Sequence, residues 1–580
     1  MQFWDGRGLT SGDFNRDGHI DLVFASTERG LYFYAGEGNG RFKRVAMPIG
    51  RVAEMPVFNA ALVDVDNDGW PDLVITTFRQ GNHLIRNTGG VFDVANMTPI
   101  RNRDDAVLTV AMSFGDINGD GLIDMAVGNW AAGWYRRIPG EEARSRVVFN
   151  DGGKLTGEKF FELPGPPGET LTILLSDINQ DGRLDLLVGN DFEQPDIVYI
   201  GDGEGGFRQL RRQYGVIPFT TTTTMAIKSA DLHNTGKPSL YFAQIAGRIS
   251  GISKKLRLRG FDQYCVGIER DADRATCQKN IDIKAWYRSG HSFDPGYARR
   301  CQEMTGRYQA ECKAMLVKDL AIQNRDPSIC KLIPVSELRA QQLCEIHFRP
   351  IREPTAQEQA DAIPQVLRRN VLLVPKDDGA YEERAVEQGV EVGGWSWDVK
   401  IIDVDNDGFQ DMLIVNGTWV PNEVTPSKIF YRNTAKGKFD EETVRFGFED
   451  YLITPAATAI DIDGDGDIDF ITAPVNGPPI VFINNSQSGN SVIFEFDDAV
   501  GNRFGIGSKV ELVYGGGRQT RELQLGGGYM SFDAPFVHFG LGTFDKVDSV
   551  TVTWADGERT VINDLPAGAR YRIARERTAR

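Results

Sequence analysis

The sequence contains few of the residues on which most enzymes and nucleic-acid-binding proteins depend. Only six of its 580 residues are histidine and only six are cysteine. It has no G-x-S-x-G turn, no H-E-x-x-H pair and no comparable catalytic motif, so we expect a protein that is not an enzyme. Lys and Arg total 64 against 81 Asp and Glu, and no basic stripe stands out. The charge therefore argues against a nucleic-acid partner.

Long apolar runs are also missing. No stretch approaches 18 consecutive apolar residues, so we expect no membrane span. The first eight residues have neither a basic region nor an apolar core, so they do not resemble a signal peptide. We therefore expect a mature or trimmed chain, and secretion has to be inferred from other features.

What the sequence does contain is a repeated acidic nonapeptide. In residues 403–411 aspartate occupies positions 1, 3, 5 and 9, with Gly408 at position 6. Oxygen ligands at alternate positions can surround one hard cation, and glycine allows the turn that aims the position-7 carbonyl inward. The nonapeptide begins at residues 13, 64, 116, 177, 231, 403 and 461, and we name these copies loops 1 to 7. Spacings of 51–61 residues, with one of 172, indicate a repeat architecture.

Six of the seven loops carry a nearly complete ligand set, which predicts about six structural Ca2+ ions. A turn-only interpretation of the Asp-Asn-Gly clusters is less consistent with six copies in phase. Loop 5, residues 231–239, keeps Gly236 but has His233, Thr235 and Ser239 at ligand positions, so we expect no metal there. The predicted ligands, by side chain or by the position-7 carbonyl, are Asp13, Asn15, Asp17, His19, Asp21, Asp64, Asp66, Asp68, Trp70, Asp72, Asp116, Asn118, Asp120, Leu122, Asp124, Asp177, Asn179, Asp181, Arg183, Asp185, Asp403, Asp405, Asp407, Phe409, Asp411, Asp461, Asp463, Asp465, Asp467 and Asp469.

Each loop lies between two short apolar runs, and a third run ends in a glycine-rich turn. Three or four strands per unit predict one blade of a β-propeller, and seven units predict a seven-bladed ring in a mainly β protein. Because the chain enters its first repeat at once, we expect strands from both ends of the array to close the ring.

The spacing of 172 residues indicates an insertion inside one blade. The blade pattern stops after residue 244 and resumes near residue 370. All six cysteines lie between, with helix-forming segments such as 307–322. An even count in one region suggests disulfides and an oxidising compartment, with zinc ligation and free thiols as the alternatives. Fifteen pairings are possible, and the sequence does not choose among them.

After about residue 485 the strands alternate polar and apolar residues, which predicts a separate β-sandwich-like module. The expected domains are thus a propeller in two parts (1–249 and 369–484), the helical cysteine-containing insertion (250–368) and the tail (485–580).

These motifs resemble known families. The nonapeptide repeats resemble FG-GAP/VCBS calcium-loop repeats, as in integrin α-chain propellers. The tail, with 502–510, 526–531 and 547–557, looks like the ASPIC/UnbV domain. Together with Gly-Trp-Ser-Trp at 394–397, they resemble the cartilage acidic protein family. The resemblance implies a secreted, extracellular or periplasmic calcium-binding propeller with adhesive roles, and it implies no reaction.

We therefore expect a calcium-stabilised scaffold that binds a protein or glycan. The alternatives are an assembly subunit of an envelope complex or, third, a carbohydrate-active enzyme on the same ring. Among the aromatic residues, Trp130, Trp134, Trp286, Trp395 and Trp397 are candidates for a sugar platform. Core packing is the better interpretation of Trp395 and Trp397.

Overall fold

The computed structural model shows a mainly β protein. It describes residues 8–27, 30–131, 138–191, 194–245, 255–260, 263–275, 277–278, 299, 301–349, 352–417, 424–475, 477–486 and 489–576. His291, Trp134 and Trp286 lie outside the described residues.

Seven small sheets, which we number like the loops, each hold one nonapeptide loop between their first and second strands. Their strands are, in sheet 1, Leu9–Gly12, Asp21–Ser26, Gly30–Gly36 and Phe42–Val45; in sheet 2, Val57–Val63, Asp72–Thr77, Gly81–Asn87 and Phe92–Ile100; in sheet 3, Leu108–Gly115, Asp124–Trp130, Arg146–Val148 and Phe160–Glu162; in sheet 4, Thr170–Ser176, Asp185–Asn190, Ile197–Gly201 and Phe207–Gln209; in sheet 5, Thr224–Ala230, Ser239–Gln244, Val371–Pro375 and Tyr381–Glu383; in sheet 6, Ser396–Ile402, Asp411–Asn416, Ile429–Asn433 and Phe439–Glu441; and in sheet 7, Ala456–Ile460, Asp469–Ala473 and Ile480–Phe482.

Consecutive sheets pack on one another. The first strand of each later sheet packs against the sheet before it, and Ala456–Ile460 of sheet 7 packs against Leu9–Gly12 of sheet 1. These first strands are covered on both faces, so Val57–Val63 is buried at every position. Burial on both faces explains why such strands are apolar without alternation.

The insertion interrupts sheet 5, because Ser239–Gln244 pairs directly with Val371–Pro375 across it. The pairing within sheet 5 thus continues from residue 244 to residue 371 across the insertion. The helices of the insertion are Gly306–Asn324, Leu338–His347 and Ala356–Asp361, with a 3-10 helix at Pro327–Leu332. Elsewhere lie the helix Ala385–Gln388 and the 3-10 helices Gly50–Glu54, Glu141–Ala143 and Arg212–Tyr214. No helix in the described part of the chain is long and apolar enough to cross a membrane.

Three disulfides staple the insertion, each between neighbouring cysteines. They join Cys265 to Cys277, Cys301 to Cys312 and Cys330 to Cys344. The disulfide prediction is confirmed, and the zinc and free-thiol alternatives are wrong. Two short ribbons connect the insertion to the repeat region: Leu258–Gly260 pairs with Val424–Pro426, and Gln365–Val366 pairs with Thr220–Thr221.

The tail forms two further sheets that share a buried apolar cluster. One contains Asn490–Asp498, Phe536–Gly542 and Ala569–Arg575, and the other Lys509–Tyr514, Gly517–Glu522, Lys546–Thr553 and Arg559–Pro566. In Lys509–Tyr514 every second residue is buried, as expected for a strand with one covered face. The cluster continues into sheets 2 and 3 through Val63 and Phe114, so the tail packs directly on the repeats.

Residues 525–534 of the tail, which we call the axial segment, contact the first strand of all seven sheets. Its backbone bonds include Phe114 N–H to the Leu525 carbonyl and Leu9 N–H to the Met530 carbonyl, both 2.9 Å. The contacted residues, in sheet order, are Leu9, Phe58, Phe114, Ile173, Ile227, Asp398 and Ala457. Ser531–Phe532 also pairs with Leu9–Thr10, so the strand that joins the first sheet from the far end of the chain comes from the tail and not from the last repeat.

Gly527 of the axial segment lies very close to the backbone of sheet 5. It has φ +72°, and a Cβ there would lie 2.3 Å from the Ile227 carbonyl oxygen. We expect Gly527→Ala to destabilise the fold by about 1–3 kcal/mol beyond the cost of its left-handed backbone. Gly568→Ala is the matched control, because Gly568 has the same φ with nothing within 4 Å. Urea unfolding of both variants measures the difference, and equal losses would contradict the packing described here.

Candidate metal centre

The backbone of every loop turns at the same two positions. Position 4 has a positive φ in all seven loops, with values of 52–79° at Arg16, Asn67, Gly119, Gln180, Asn234, Asn406 and Gly464. Position 6 is always glycine, with φ between 80° and 94°. A side chain at position 6 would be strained, which explains the invariant glycine within this chain.

Short hydrogen bonds hold the acidic side chains of the loop in place. In loop 6 the Asp403 carboxylate accepts the N–H groups of Asp407 (3.1 Å) and Gly408 (2.7 Å). Asp407 in turn accepts the N–H of Phe409 at 2.9 Å. Loops 1, 3 and 4 repeat this pattern. In these loops the position-7 N–H therefore bonds the position-5 carboxylate.

The ninth-position aspartate links its loop to the third strand of its sheet. Asp411 accepts the N–H of Val404 with one oxygen and the N–H of Asn433 with the other, at 2.9 and 2.8 Å. The same pair of bonds is made by Asp21, Asp72, Asp124, Asp185 and Asp469. These carboxylates are thus structural acceptors as well as predicted ligands.

An asparagine at the end of the third strand, or two residues after it, then connects neighbouring loops, which the sequence reasoning missed. The Asn433 amide donates to the Gln410 carbonyl of its own loop and to the Leu232 carbonyl of loop 5. Asn87, Asn150 and Asn484 bond in the same way to Phe14, Val65 and Val404 of the preceding loops. A recurrent asparagine in the third apolar run is the sequence signal that could have identified them.

Burial makes the loop carboxylates costly to ionise. Desolvation raises the pKa of Asp21, Asp64, Asp124, Asp185 and Asp469 to about 7 and those of Asp72 and Asp116 to about 6. The pKa values of Asp403 and Asp411 are also raised, first by burial and then by neighbouring aspartates. A cation among them would offset both effects.

Several buried oxygens in the loops have no hydrogen-bond partner among the described residues. The carboxylate oxygens among them are Oδ1 of Asp64, Asp405 and Asp463. The same aspartates belong to three clusters whose carboxylate oxygens lie within 4.8 Å of one another: Asp64 with Asp66 and Asp72, Asp403 with Asp405 and Asp411, and Asp461 with Asp463 and Asp465. Buried acceptors without donors are rare unless water or an ion satisfies them, so the donor set fits a hard divalent cation.

Loop 5 keeps this frame with a single carboxylate. Asp231 accepts the N–H groups of Thr235 (2.9 Å) and Gly236 (2.7 Å), as in the complete loops. His233 is engaged by Gln388, and the Lys237 ammonium pairs with Asp377 at 2.8 Å. The loop therefore has its shape and lacks most of the donors that a cation needs.

Basic side chains lie beside four of the loops, and the sequence reasoning did not identify them. Arg86 contacts Asp66 and Asp72, and Arg432 contacts Asp405 and Asp407. From the tail, Lys509 lies 2.6 Å from Asp177 and Arg570 lies 3.1 Å from Asp461. The tail contacts are not visible in the sequence because they join residues hundreds of positions apart.

Three of the tryptophans proposed as a sugar platform lie in the described part of the chain, and they belong to the core. Trp130 and Trp397 are buried, and Trp395 packs beside them half-buried. The core interpretation of Trp397 is confirmed, and the sugar-platform role of Trp130 is wrong.

Comparisons with known proteins identify two of these modules. A profile of the FG-GAP-like repeat matches residues 13–75, 64–127 and 177–242, and the ASPIC and UnbV profile matches residues 499–580. The chain therefore contains FG-GAP-like repeats and a C-terminal ASPIC/UnbV domain. No curated protein sequence matches it. The repeats and the three disulfides fit an extracellular protein.

Three solved structures show a weak similarity to the chain. A crystal structure of BBS1N in complex with ARL6DN, soaked with lead, is 13% identical with a TM-score of 0.25, over 41% of this chain and 64% of that one. Sqt1 of Saccharomyces cerevisiae is 8% identical (TM-score 0.36; 83% and 97% covered), and the V. cholerae biofilm matrix protein Bap1 is 10% identical (TM-score 0.23; 97% and 72%). Likenesses this weak support no conclusion about fold or function.

The connecting asparagines give a direct test of the loop frame. Asn433 is buried, and Asn433→Ala would leave the Leu232 and Gln410 carbonyls without their donor. We expect a loss of about 2–4 kcal/mol in urea unfolding. Asn485→Ala, at an exposed asparagine, should stay within about 0.5 kcal/mol of the parent. A similar small change at Asn433 would show that the bridge contributes little.

Proposed function

We propose that the chain is a secreted or periplasmic scaffold of the cartilage acidic protein type: a closed, seven-bladed, calcium-stabilised propeller that binds an acidic glycan. We propose no reaction for the protein. The domain boundaries at residues 250, 369 and 485 remain predictions.

The partnerless oxygens of Asp64, Asp405 and Asp463 carry the calcium part of the proposal. Bound Ca2+ would draw on the side chains at positions 1, 3, 5 and 9 of loops 1 to 4, 6 and 7, and its charge would stabilise the ionised carboxylates there. The ring closure is supported by the packing of sheet 7 on sheet 1 and by the axial segment, which touches all seven first strands.

A groove of about 780 Å³ offers the ligand site. It lies between the outermost strand of sheet 4, Phe207–Gln209, and residues 354–365, where the insertion returns to the ring. The volume is within the range of ligand pockets, about 300–1,000 Å³. Rigid proline side chains form much of its wall, at Pro164, Pro166, Pro167, Pro195, Pro354 and Pro364. The insertion thus supplies one side of the groove.

The groove is basic although the protein carries a formal charge of −17. Arg352 pairs with the Glu358 carboxylate through both of its Nη atoms, and Arg211 lies 3.6 Å from Asp361. Arg208 and Arg212 are exposed and have no carboxylate partner among the described residues. The Arg208 guanidinium lies 5.7 Å from the centre of the exposed Tyr214 ring. Arginines beside an open aromatic ring suit a negatively charged sugar chain.

The assembly alternative also has one observation in its favour. Leu332 and Val335 are 71% and 83% exposed on the insertion. Nothing in the described structure indicates what would cover them, so the scaffold proposal stands first.

Calcium content and melting test the first part of the proposal. We expect six ions per calcium-saturated chain, because loop 5 has one carboxylate, and a melting temperature lowered by many degrees in excess chelator. Each site lost on unfolding would contribute about 2.7 kcal/mol at calcium a hundredfold above its dissociation constant. Asp231→Asn should leave the count at six, whereas Asp403→Asn should lower it. An unchanged melting curve after verified metal removal would contradict the calcium role.

Binding of tetragalacturonate, measured by calorimetry, tests the groove. We expect Arg208→Gln/Arg212→Gln to weaken binding about tenfold, which corresponds to about 1.4 kcal/mol. The control Arg41→Gln/Arg44→Gln removes the same charge from exposed positions on sheet 1 and should bind like the parent. Cellotetraose, which has no charge, should bind more weakly than tetragalacturonate. Equal losses in both double variants, or tight binding of an acidic peptide in place of the sugar, would contradict the assignment.

A further inference from the structure

The complete loops fall into two kinds according to position 3. Loops 1, 3 and 4 carry asparagine there, at Asn15, Asn118 and Asn179. Loops 2, 6 and 7 carry aspartate, at Asp66, Asp405 and Asp463. Aspartate adds a fourth carboxylate to positions 1, 3, 5 and 9, so loops of the second kind begin with more repulsion between like charges.

A second difference occurs in the third strand of each sheet. The residue before the one that bonds the ninth-position aspartate is Arg86 in repeat 2 and Arg432 in repeat 6. At the same place the asparagine-containing repeats have Ala35, Phe149 and Ile200. Within these five repeats, aspartate at position 3 occurs together with arginine, and asparagine occurs without it.

The two arginines reach into their loops from equivalent positions. Nη1 of Arg86 lies 2.9 Å from Oδ2 of Asp66 and 2.6 Å from Oδ2 of Asp72. Nη2 of Arg432 lies 2.9 Å from Oδ2 of Asp407, and its Nε bonds Asp405. Both side chains are only 23–26% exposed, so solvent screens these contacts incompletely.

The charges then balance. Four aspartates and one arginine give the same net charge, −3, as three aspartates and one asparagine. Loop 7 has five aspartates and Ile483 at the arginine position, and its nearest cation is Arg570 of the tail. Loop 4 has two further basic contacts, Lys509 of the tail on Asp177 and its own Arg183 on Asp181. An arginine on the third strand that contacts the position-3 aspartate is therefore a property of loops 2 and 6.

We propose that Arg86 and Arg432 are internal counter-ions that hold loops 2 and 6 in shape without a metal and lower their affinity for Ca2+. The inference rests on the proposed calcium function and divides the sites into two classes. Each guanidinium lies beside the position-3 carboxylate and a second one, at position 9 in loop 2 and at position 5 in loop 6. There it competes with the cation for the same oxygens and repels it. Loops 1 and 3 have no such competitor in their own sheets, so they bind Ca2+ more tightly and depend on it more. In loop 4 the half-exposed Arg183 contacts the position-5 carboxylate of Asp181 and leaves the position-9 carboxylate uncontacted.

Calorimetric titration with Ca2+ on the full chain tests this assignment. We expect the parent to contain two weak sites that become about tenfold tighter in Arg86→Gln/Arg432→Gln. The same variant should melt at a lower temperature than the parent in excess chelator. A purely structural role for the arginines would lower metal-free stability without tightening the metal, so opposite changes in the two quantities are diagnostic.

Two further variants serve as controls. Arg41→Gln/Arg44→Gln matches the charge change at exposed residues that make no ion pair with a loop carboxylate among the described residues, and it should alter neither quantity. Ala35→Arg places the competitor in repeat 1 and should convert one tight site into a weak one. If the parent binds Ca2+ and the arginine variant binds it no more tightly, the inference is overturned alone. If the parent binds no Ca2+, the proposed function is overturned as well.

Discussion

The structure depends on holding several negatively charged aspartates close together in each complete loop, where neighbouring sheets meet. Each complete loop buries a ninth-position aspartate such as Asp411, whose two oxygens hold the loop to the third strand of its sheet. The hydrogen bonds fix geometry, but they do not remove the repulsion among three to five carboxylates. Cations offset this repulsion: arginines of the same repeat at loops 2 and 6, basic residues of the tail at loops 4 and 7 and, in the function that we propose, metal ions. Loop 5 is the exception that needs none, because it has one carboxylate.

The tail and the insertion are integral to this arrangement. The tail places Lys509 and Arg570 against loops 4 and 7, and its axial segment forms hydrogen bonds with first strands of the sheets. The insertion starts and ends within one sheet, is closed by local disulfides and forms one wall of the basic groove. A module with helices of 19 and 10 residues gains from such cross-links, since its own core is small.

The sequence predicted the features that depend on residues close to one another along the chain. The nonapeptide frame, the strands on either side of it, the place of the insertion in sheet 5 and the helix near residues 307–322 follow from spacing, periodicity and propensity. Disulfide pairing needed the structure, because fifteen pairings satisfy the composition equally. The contact of Lys509 with Asp177 joins residues 332 positions apart, and no local pattern records it. The pair Arg86–Asn87 could have been recognised from the sequence, since it recurs as Arg432–Asn433. Its role is visible only in the structure, where the third strand packs beside the loop.

The axial segment also sets the order in which the chain can be completed. The hydrogen bond from Ala534 to Ser11 closes a chain interval of 523 residues, and folding slows as contacts become more distant in sequence. At about 5–20 residues per second, synthesis of those 523 residues takes roughly 26 to 105 s. For most of that time Leu9–Gly12 has neither sheet 7 nor Ser531–Phe532 beside it. Leu9–Gly12 therefore lacks these neighbours until residue 532 has been synthesised.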